Sequence, residues 1–357
     1  MIPILQLQIK NGSHLTMKNR LILGILLPIA VILLLILNIS IGSVSIPYSA
    51  LFESLFTDSI KTSWYNIIWQ FRMPKAITAS LVGAGLSVCG LQMQTLFRNP
   101  LAGPFVLGIS SGASMGVALL VLSGSIIGGF VHYLAVGSWV VVIAASLGSF
   151  SVLMVVMMVS IRIKDSMSLL IVGLMFGSTT GALVSVLQYF SNAQEIQLFM
   201  IWTFGNIGGL NWEEITVMFI IILLGLLMNI ILIKPLNALL LGENYARSMG
   251  VNIQKNRILI IISTSLLAGS ITAFCGPIAF IGMAVPHIVR VIFKTSDHRV
   301  LFPASIFVGI IIMLMCDMVA QLPGSEYTLP INAITSLLGA PFVIWIILRK
   351  RNIAKSF

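Results

Sequence analysis

The chain has 357 residues, 58% of them hydrophobic and 8% charged, with a formal net charge of +10. A soluble domain carries about 25% charged residues, so a soluble fold is excluded. Solid apolar blocks without alternation exclude a transmembrane β-barrel. What remains is an all-α, polytopic membrane protein whose helices satisfy the backbone within the lipid.

Residues 1–20 form a polar tail with Lys10, Lys18 and Arg20. The apolar run 21–41 exceeds a signal-peptide core, and no small-residue cleavage site follows it. It reads as a retained first helix. Further segments are expected at 74–96, 105–123, 134–159, 167–190, 213–233, 257–275, 277–292, 301–320 and 333–348, about ten in all. The segment 277–292 is short, and only Gly276 and Pro277 separate it from its predecessor. Charge placement decides for two helices. With the N-terminus inside, all basic residues except Lys61, Arg72 and Lys75 fall on the inner side, as the positive-inside rule requires. A wrong helix count would scramble that bias. Both termini are then cytoplasmic, with 349–357 as a short inner tail. The acids Glu53, Asp58, Glu195, Glu213, Glu214 and Glu326 fall in outer loops. The positive charge is therefore topology, with membrane lipid as an added partner and no nucleic acid. One transmembrane domain covers 1–357, with no soluble domain. Its longest extramembrane stretches are 42–73 outside and 234–256 inside. Cys89, Cys275 and Cys316 lie in apolar runs and read as small packing residues.

The stretch "FRNPLAGPFVLGISSGAS", 97–114, breaks the apolar pattern. Its Gly/Ser wording suggests a phosphate loop, but a Walker A loop needs lysine after its second glycine, and the chain has no such motif. Arg98 stops the second helix, and Pro100 and Pro104 forbid its continuation, so the chain turns and re-enters. Gly112 and Gly116 form a GxxxG pair that permits close helix approach. Gly173, Gly177 and Gly181 recur on one helix face. They serve either packing or a helix that lines a moving interface.

Asp317 is an acid inside an apolar run, about four residues from its outer end, where an acid is costly and marks snorkelling to the interface, a structural pair or a pathway. His287 follows the kinking Pro286 near an inner helix end. A structural hydrogen bond is its expected role, and no second histidine or acid at helical spacing indicates a metal. His14, His132 and His298 read as solvated loop residues. The inner stretch 237–249 reads as an amphipathic helix ending at Gly250. It is either a surface helix or a docking element for a cytosolic partner.

These residues together resemble a known family. "RMPKAITASLVGAGLSVCGLQMQTLFRNPLAGPFVLGISSGAS", "LGENYARSMGV", "GPIAFIGMAVPHIVR", "DHRVLFPAS" and "LPINAITSLLGAPFVIWIIL" resemble, in the right order, permease subunits of ABC importers for iron chelates, haem and cobalamin. The resemblance implies the ten-helix type II importer permease fold. It implies a homodimer of this chain, two cytosolic ATPase subunits and an extracytoplasmic substrate-binding protein. It makes Gly242, Glu243, Ala246, Arg247 and Gly250 the ATPase-coupling segment. Arg72 and Lys75 would dock the binding protein, and Arg98, Asn99 and Pro100 would form the inner-face signature turn. The fifth and tenth helices would flank the pathway, which would place Gly173, Gly177 and Gly181 near it, with Asp317, Pro286 and His287 as further pathway or helix-interface positions. No cofactor is expected on this chain, and ATP and magnesium would bind the partner subunit. Two positions depart from the family. Gln321 stands where arginine is common, and Asn332 where a glycine is usual. The expected function is import of an iron-siderophore, haem or cobalamin-type substrate across the cytoplasmic membrane by alternating access. The rivals are an ion-coupled secondary transporter, with Asp317 as its only candidate acid, and a membrane-embedded enzyme, for which no catalytic pair is suggested by spacing.

Overall fold

The computed structural model describes residues 17–42, 44, 46–47, 62–123, 138–162, 166–321 and 327–354. His14, His132, Glu53, Asp58, Lys61 and Glu326 lie outside them.

In chain order the helices are α1 (Met17–Ser40), α2 (Thr62–Asn66), a π-helical turn (Ile67–Arg72), α3 (Met73–Leu96), a 3-10 turn (Pro104–Leu107), α4 (Ile109–Val121), α5 (Ser138–Arg162), α6 (Ser166–Phe190), α7 (Ala193–Thr203), α8 (Trp212–Leu240), α9 (Glu243–Ser248), α10 (Ile253–Cys275), α11 (Ile281–Phe293), α12 (His298–Ala320) and α13 (Ile331–Ala354). Each of the ten expected membrane segments falls on a helix. Among the described residues seven are long and apolar enough to cross a membrane, and α4, α11 and the start of α13 are shorter apolar helices. The break at Gly276 is real. The residue has φ +73, and Phe280 at φ +66 opens the next helix.

α3 is the axis of the bundle. Most of its apolar window is buried, 83% against 17% for α1. It packs on α8, α10, α11 and α12, most extensively on α12. Glycine permits this. A Cβ at Gly83 would lie 2.3 Å from the Gly309 carbonyl oxygen of α12. At Gly90 it would lie 1.4 Å from the Gly282 oxygen of α11. Pro286 has no N–H to bond that Gly282 carbonyl, which is therefore free of its helical partner. The expected GxxxG pair works the same way: Gly112 and Gly116 meet Gly148 and Ala144 of α5.

One cluster of polar groups in this core is paired across helices. Gln92 of α3 donates to Asn229 of α8 and to Ser263 of α10, and accepts from Thr264 at 2.8 Å. Asn229 in turn donates to the Gly225 carbonyl at 2.9 Å and to Ser263 at 3.0 Å. Such a network, satisfied through side chains of three helices, fixes their register.

Several expectations are corrected. The second span begins well before residue 74, because "TSWYNIIWQFR" is helical and rich in interfacial aromatics. Arg72 thus sits on a helix and not in a loop, close to Lys75 of the expected span. An extra helix, α7, occupies part of the expected outer loop. Glu195 and Glu214 are not free loop acids. Each is buried, and each closes a capping box, with Asn192 and Asn211 respectively. The helix expected over 237–249 is two helices, parted at Leu241 and Gly242, where Gly242 takes φ +120. Residues 349–354, expected as tail, continue α13. His298 is not solvated but 1% exposed.

Candidate functional site

Among the described residues no group of three or more His, Cys, Asp or Glu side chains could hold a metal ion. Two polar constellations form instead, one at each end of the bundle.

At the expected inner end, α8 leads through Leu241 and Gly242 into the six-residue α9. Pro235 lies inside the last turns of α8 and removes one helical N–H there. α9 is closed by a Schellman arrangement: Gly250, at φ +83, donates to the Arg247 carbonyl, and Val251 donates to Ala246 at 3.0 Å. Ala246 points inward and is fully buried. Glu243 is held by Arg257 of α10 at 3.1 Å. Outward stand Arg247, Tyr245 at 54% and Met249 at 59% exposure. Tyr245 and Met249 were not singled out from the sequence, where nothing distinguishes an outward from an inward apolar residue in so short a helix.

The expected signature turn touches this segment. α3 ends at Leu96, and Arg98 takes φ +46. Its guanidinium donates to the Leu239 carbonyl at the end of α8 (3.3 Å) and borders Gly242. Asn99 accepts from the Leu101 N–H at 2.9 Å, which sets the turn into which Pro100 fits. Nearby, Arg290 of α11 donates to Gln94 at 2.6 Å, and Gln94 donates to the Met283 carbonyl.

A buried joint lies beside it. Asn237 in the last turn of α8 accepts from both the backbone N–H (2.9 Å) and ring Nδ1 (2.7 Å) of His298. An amide oxygen cannot donate, so Nδ1 carries the proton. Asn237 Nδ2 donates to Asp297 Oδ1 at 2.7 Å. The other ring nitrogen lies 2.9 Å from the Thr95 hydroxyl of α3. Asp297 also caps α12 by accepting from the Arg299 N–H. Burial pushes its carboxyl up, but the Arg299 N–H, the Asn237 amide and the Arg299 charge outweigh it and hold the group below its ordinary value. Of these residues only His298 was singled out beforehand, and with the opposite environment.

At the expected outer end the centre is Asp317 of α12, fully buried. Its Oδ2 accepts from Asn38 of α1 at 2.9 Å and from Gln321 at 2.8 Å. Lys75 Nζ stands 2.9 Å from Oδ1, off the direction of a hydrogen bond, so the contact is one of charge. Arg72 donates to the Ile39 carbonyl (2.7 Å), to Ser40 (2.9 Å) and to Val44, satisfying the C-terminal end of α1. Arg72 and Lys75 are thus both engaged within the chain. They line one side of a cavity of about 660 Å³, with Asp317, Gln321, Asn206 and Pro330 around it. Asn332 of α13 accepts from the Ala279 N–H at 3.1 Å and, through its own backbone N–H, donates to Phe204.

The glycine ridge on α6 divides. Gly173 meets the Val106 carbonyl at 2.1 Å for a built Cβ, Gly177 meets only Ser111, and Gly181 meets nothing within 4 Å. Its first residue packs and its last faces outward. Pro286 is buried in α11, and His287 stands edge-on to Phe342 of α13, ring centroids 6.3 Å apart.

The comparisons with known proteins agree with this architecture. Residues 30–349 match the FecCD transport family. The chain is 37% identical over 286 residues to the vitamin B12 import system permease protein BtuC of Klebsiella pneumoniae subsp. pneumoniae, covering 80% of this chain and 83% of that one. It is 34% identical over 336 residues to the hemin transport system permease protein HmuU of Yersinia pestis, covering 94% and 97%. A solved structure described as an inward-facing conformation of a metal-chelate type ABC transporter superposes with a TM-score of 0.78 at 29% identity, over 90% of this chain and 97% of that one. With a family match that runs from α1 to α13 and a fold shared across nine-tenths of its length, the chain belongs to the FecCD transport family and has the type II ABC importer permease fold.

Proposed function

We propose that this chain is the membrane-spanning subunit of an ATP-driven importer in the cytoplasmic membrane, passing a metal-chelate substrate inward between two copies of itself. The substrate is an iron-siderophore, haem or cobalamin-type molecule. ATP and magnesium act on a separate subunit.

The observation that carries this reading is α9. A six-residue helix is too short to be stable alone. Here it is pinned by Glu243–Arg257, by its buried Ala246 and by the Gly250 cap, while Tyr245, Arg247 and Met249 project from it. Such a rigid knob with an apolar and basic face suits a cleft on a cytosolic partner. Arg247 would meet the partner, whereas Gly242, Glu243, Ala246 and Gly250 would shape the knob. Arg98, Asn99 and Pro100 would brace it from α3. The basic residues near α9 support a cytoplasmic position for this end and for both termini.

At the other end Arg72 and Lys75 would face the substrate-binding protein, with Lys75 shared between Asp317 and an acid of that partner. The pairing of Asp317 with Lys75 argues against an ion-coupled route through it, because its charge is already balanced. Gly177 and Gly181 on the outward face of α6 would border the pathway, whereas Gly173 serves packing.

The test is co-purification of the tagged chain in mild detergent. A stoichiometric Walker A ATPase is expected in the eluate. Recovery of the chain alone, with uptake that survives ATP depletion, would refute the reading.

A further inference from the structure

We propose that Asn237, His298 and Thr95 form the joint through which movement of α9 reaches the core of the bundle, making them positioning residues for coupled transport. The inference rests on reading α9 as the ATPase-facing segment.

Three helices meet in this joint. Asn237 sits in the last turn of α8, directly ahead of α9. His298 opens α12, and Thr95 lies in the last turn of α3. One imidazole bridges all three. Nδ1–H donates to Asn237, and Nε2 meets the Thr95 hydroxyl, so each ring nitrogen is committed to a different helix. His298 and Thr95 are 1% and 2% exposed, and no solvent competes for these bonds. Asn237 adds a second arm to Asp297, which caps α12.

A histidine that merely filled a core would not need a ring-bridging geometry at the only turn connecting α8 to α9. Two of the three helices joined here also run side by side to the opposite end. α3 and α12 are joined again by Ser87 to the Ser305 carbonyl (2.8 Å), by the Gly83–Gly309 backbone contact and by Lys75–Asp317. They form a ladder with rungs at both ends and in the middle. A displacement of α9 therefore has a continuous hydrogen-bonded route into a pair of helices that ends at the outer cavity.

The experiment uses the complete importer, this chain with its ATPase and binding protein, in lipid nanodiscs. Cys89, Cys275 and Cys316 are buried, so a single reporter, L329C at the outer cavity, can be read with a membrane-impermeant maleimide. Two quantities are measured: ATP hydrolysis, and the change in L329C labelling rate on adding ATP and magnesium. N237D places an acid against Asp297 and breaks one arm. N237D/D297N restores the same hydrogen bond with donor and acceptor exchanged. T95V removes the Thr95 arm together with that hydroxyl's bond to the Leu91 carbonyl of its own helix.

In N237D and in T95V, hydrolysis is expected to persist while the ATP-dependent labelling change falls by about tenfold, within the usual range for coupling between two sites. In N237D/D297N the change is expected to return to within about threefold of the parent, as a double-mutant cycle requires of a direct pair. An unchanged labelling response in N237D and T95V overturns the proposal. So does parallel loss of hydrolysis and response that the exchanged pair does not restore, which marks a structural role only. A parent complex whose L329C labelling ignores ATP overturns it as well. Absence of any ATPase from the purified complex sinks the function reading itself, and the joint with it.

Discussion

Asp317 sits in the apolar α12 with one oxygen on two amide donors, Asn38 and Gln321, and the other against the Lys75 ammonium. Desolvating a carboxylate costs several kcal/mol, and a pair repays this only when hydrogen bonds complete it. Gln321 donates to the acid and adds no second charge. Removing one partner of such a pair exposes the other to an uncompensated site. K75M should therefore destabilise the chain by about 3 kcal/mol, and K75M/D317N should recover most of that loss. Thermal unfolding in one detergent checks this. Equal destabilisation in the single and double variants would show that the pair contributes nothing. The acid itself was plain in the sequence, since a charge in an apolar run is rare. Its partners were not. Lys75 and Asn38 lie far away along the chain, and a hydrogen bond across helices leaves no local signature. Asn237 and His298 were hidden for the same reason, whereas the capping boxes Asn192–Glu195 and Asn211–Glu214 carry a local N-x-x-E pattern that the reading of both acids as loop residues passed over.

At the level of helices, glycine placement was readable but its meaning was not. The same Gly-x-x-x-Gly spacing serves three different purposes here. Gly112 and Gly116 press α4 onto α5, Gly173 presses α6 onto the 3-10 turn, and Gly181 touches nothing. Periodicity tells which glycines share a face. Only the neighbouring helix decides whether a side chain would fit. Gly90 and Gly181 make the contrast testable. A Cβ at Gly90 would overlap the Gly282 oxygen in a close-packed core, where neighbours cannot yield. G90A should abolish accumulation of folded protein. G181A should leave expression and unfolding temperature unchanged, within about 0.5 kcal/mol, as for a surface change. Size-exclusion profiles of the two variants decide it. Helix number and order were legible because apolar runs announce themselves. Helix ends were less so. The start of the second span was missed because Trp64, Tyr65 and Trp69 dilute its hydropathy, although interfacial aromatics mark a membrane boundary. α9 was merged with α8 because the break depends on one glycine, Gly242, at positive φ.

For the molecule as a whole, burial is uneven. α3 and α10 are enclosed, with 83% and 72% of their apolar windows covered, while α6 has 22% covered. The open face of α6 carries Ile171, Met175, Leu183 and Val186 beside Ser178, Thr179 and Gly181. Lipid can cover such a face, and so can a second copy. Small and hydroxylated residues favour the latter, since membrane helices associate through close packing and interhelical hydrogen bonds. L183C is therefore expected to form a disulfide-linked dimer in native membranes under mild oxidation, with the buried natural cysteines silent. Cross-linking no stronger than that of I231C, on the equally apolar open face of α8, would assign α6 to lipid.

Asn332 has a consequence at this scale too. Its side chain accepts from Ala279, in the stretch between α10 and α11, and its backbone donates to Phe204 at the end of α7. Gly205 and Gly276, both at positive φ, nest in the same place, where a Cβ on Gly276 would lie 2.6 Å from the Trp202 carbonyl. A glycine at 332 would keep the backbone bond to Phe204 and lose the side-chain bonds to Ala279 and Thr203. The amide sews three chain segments into a single seam, so none can part from the others by degrees. Whatever opens this corner of the protein must open it in one cooperative step.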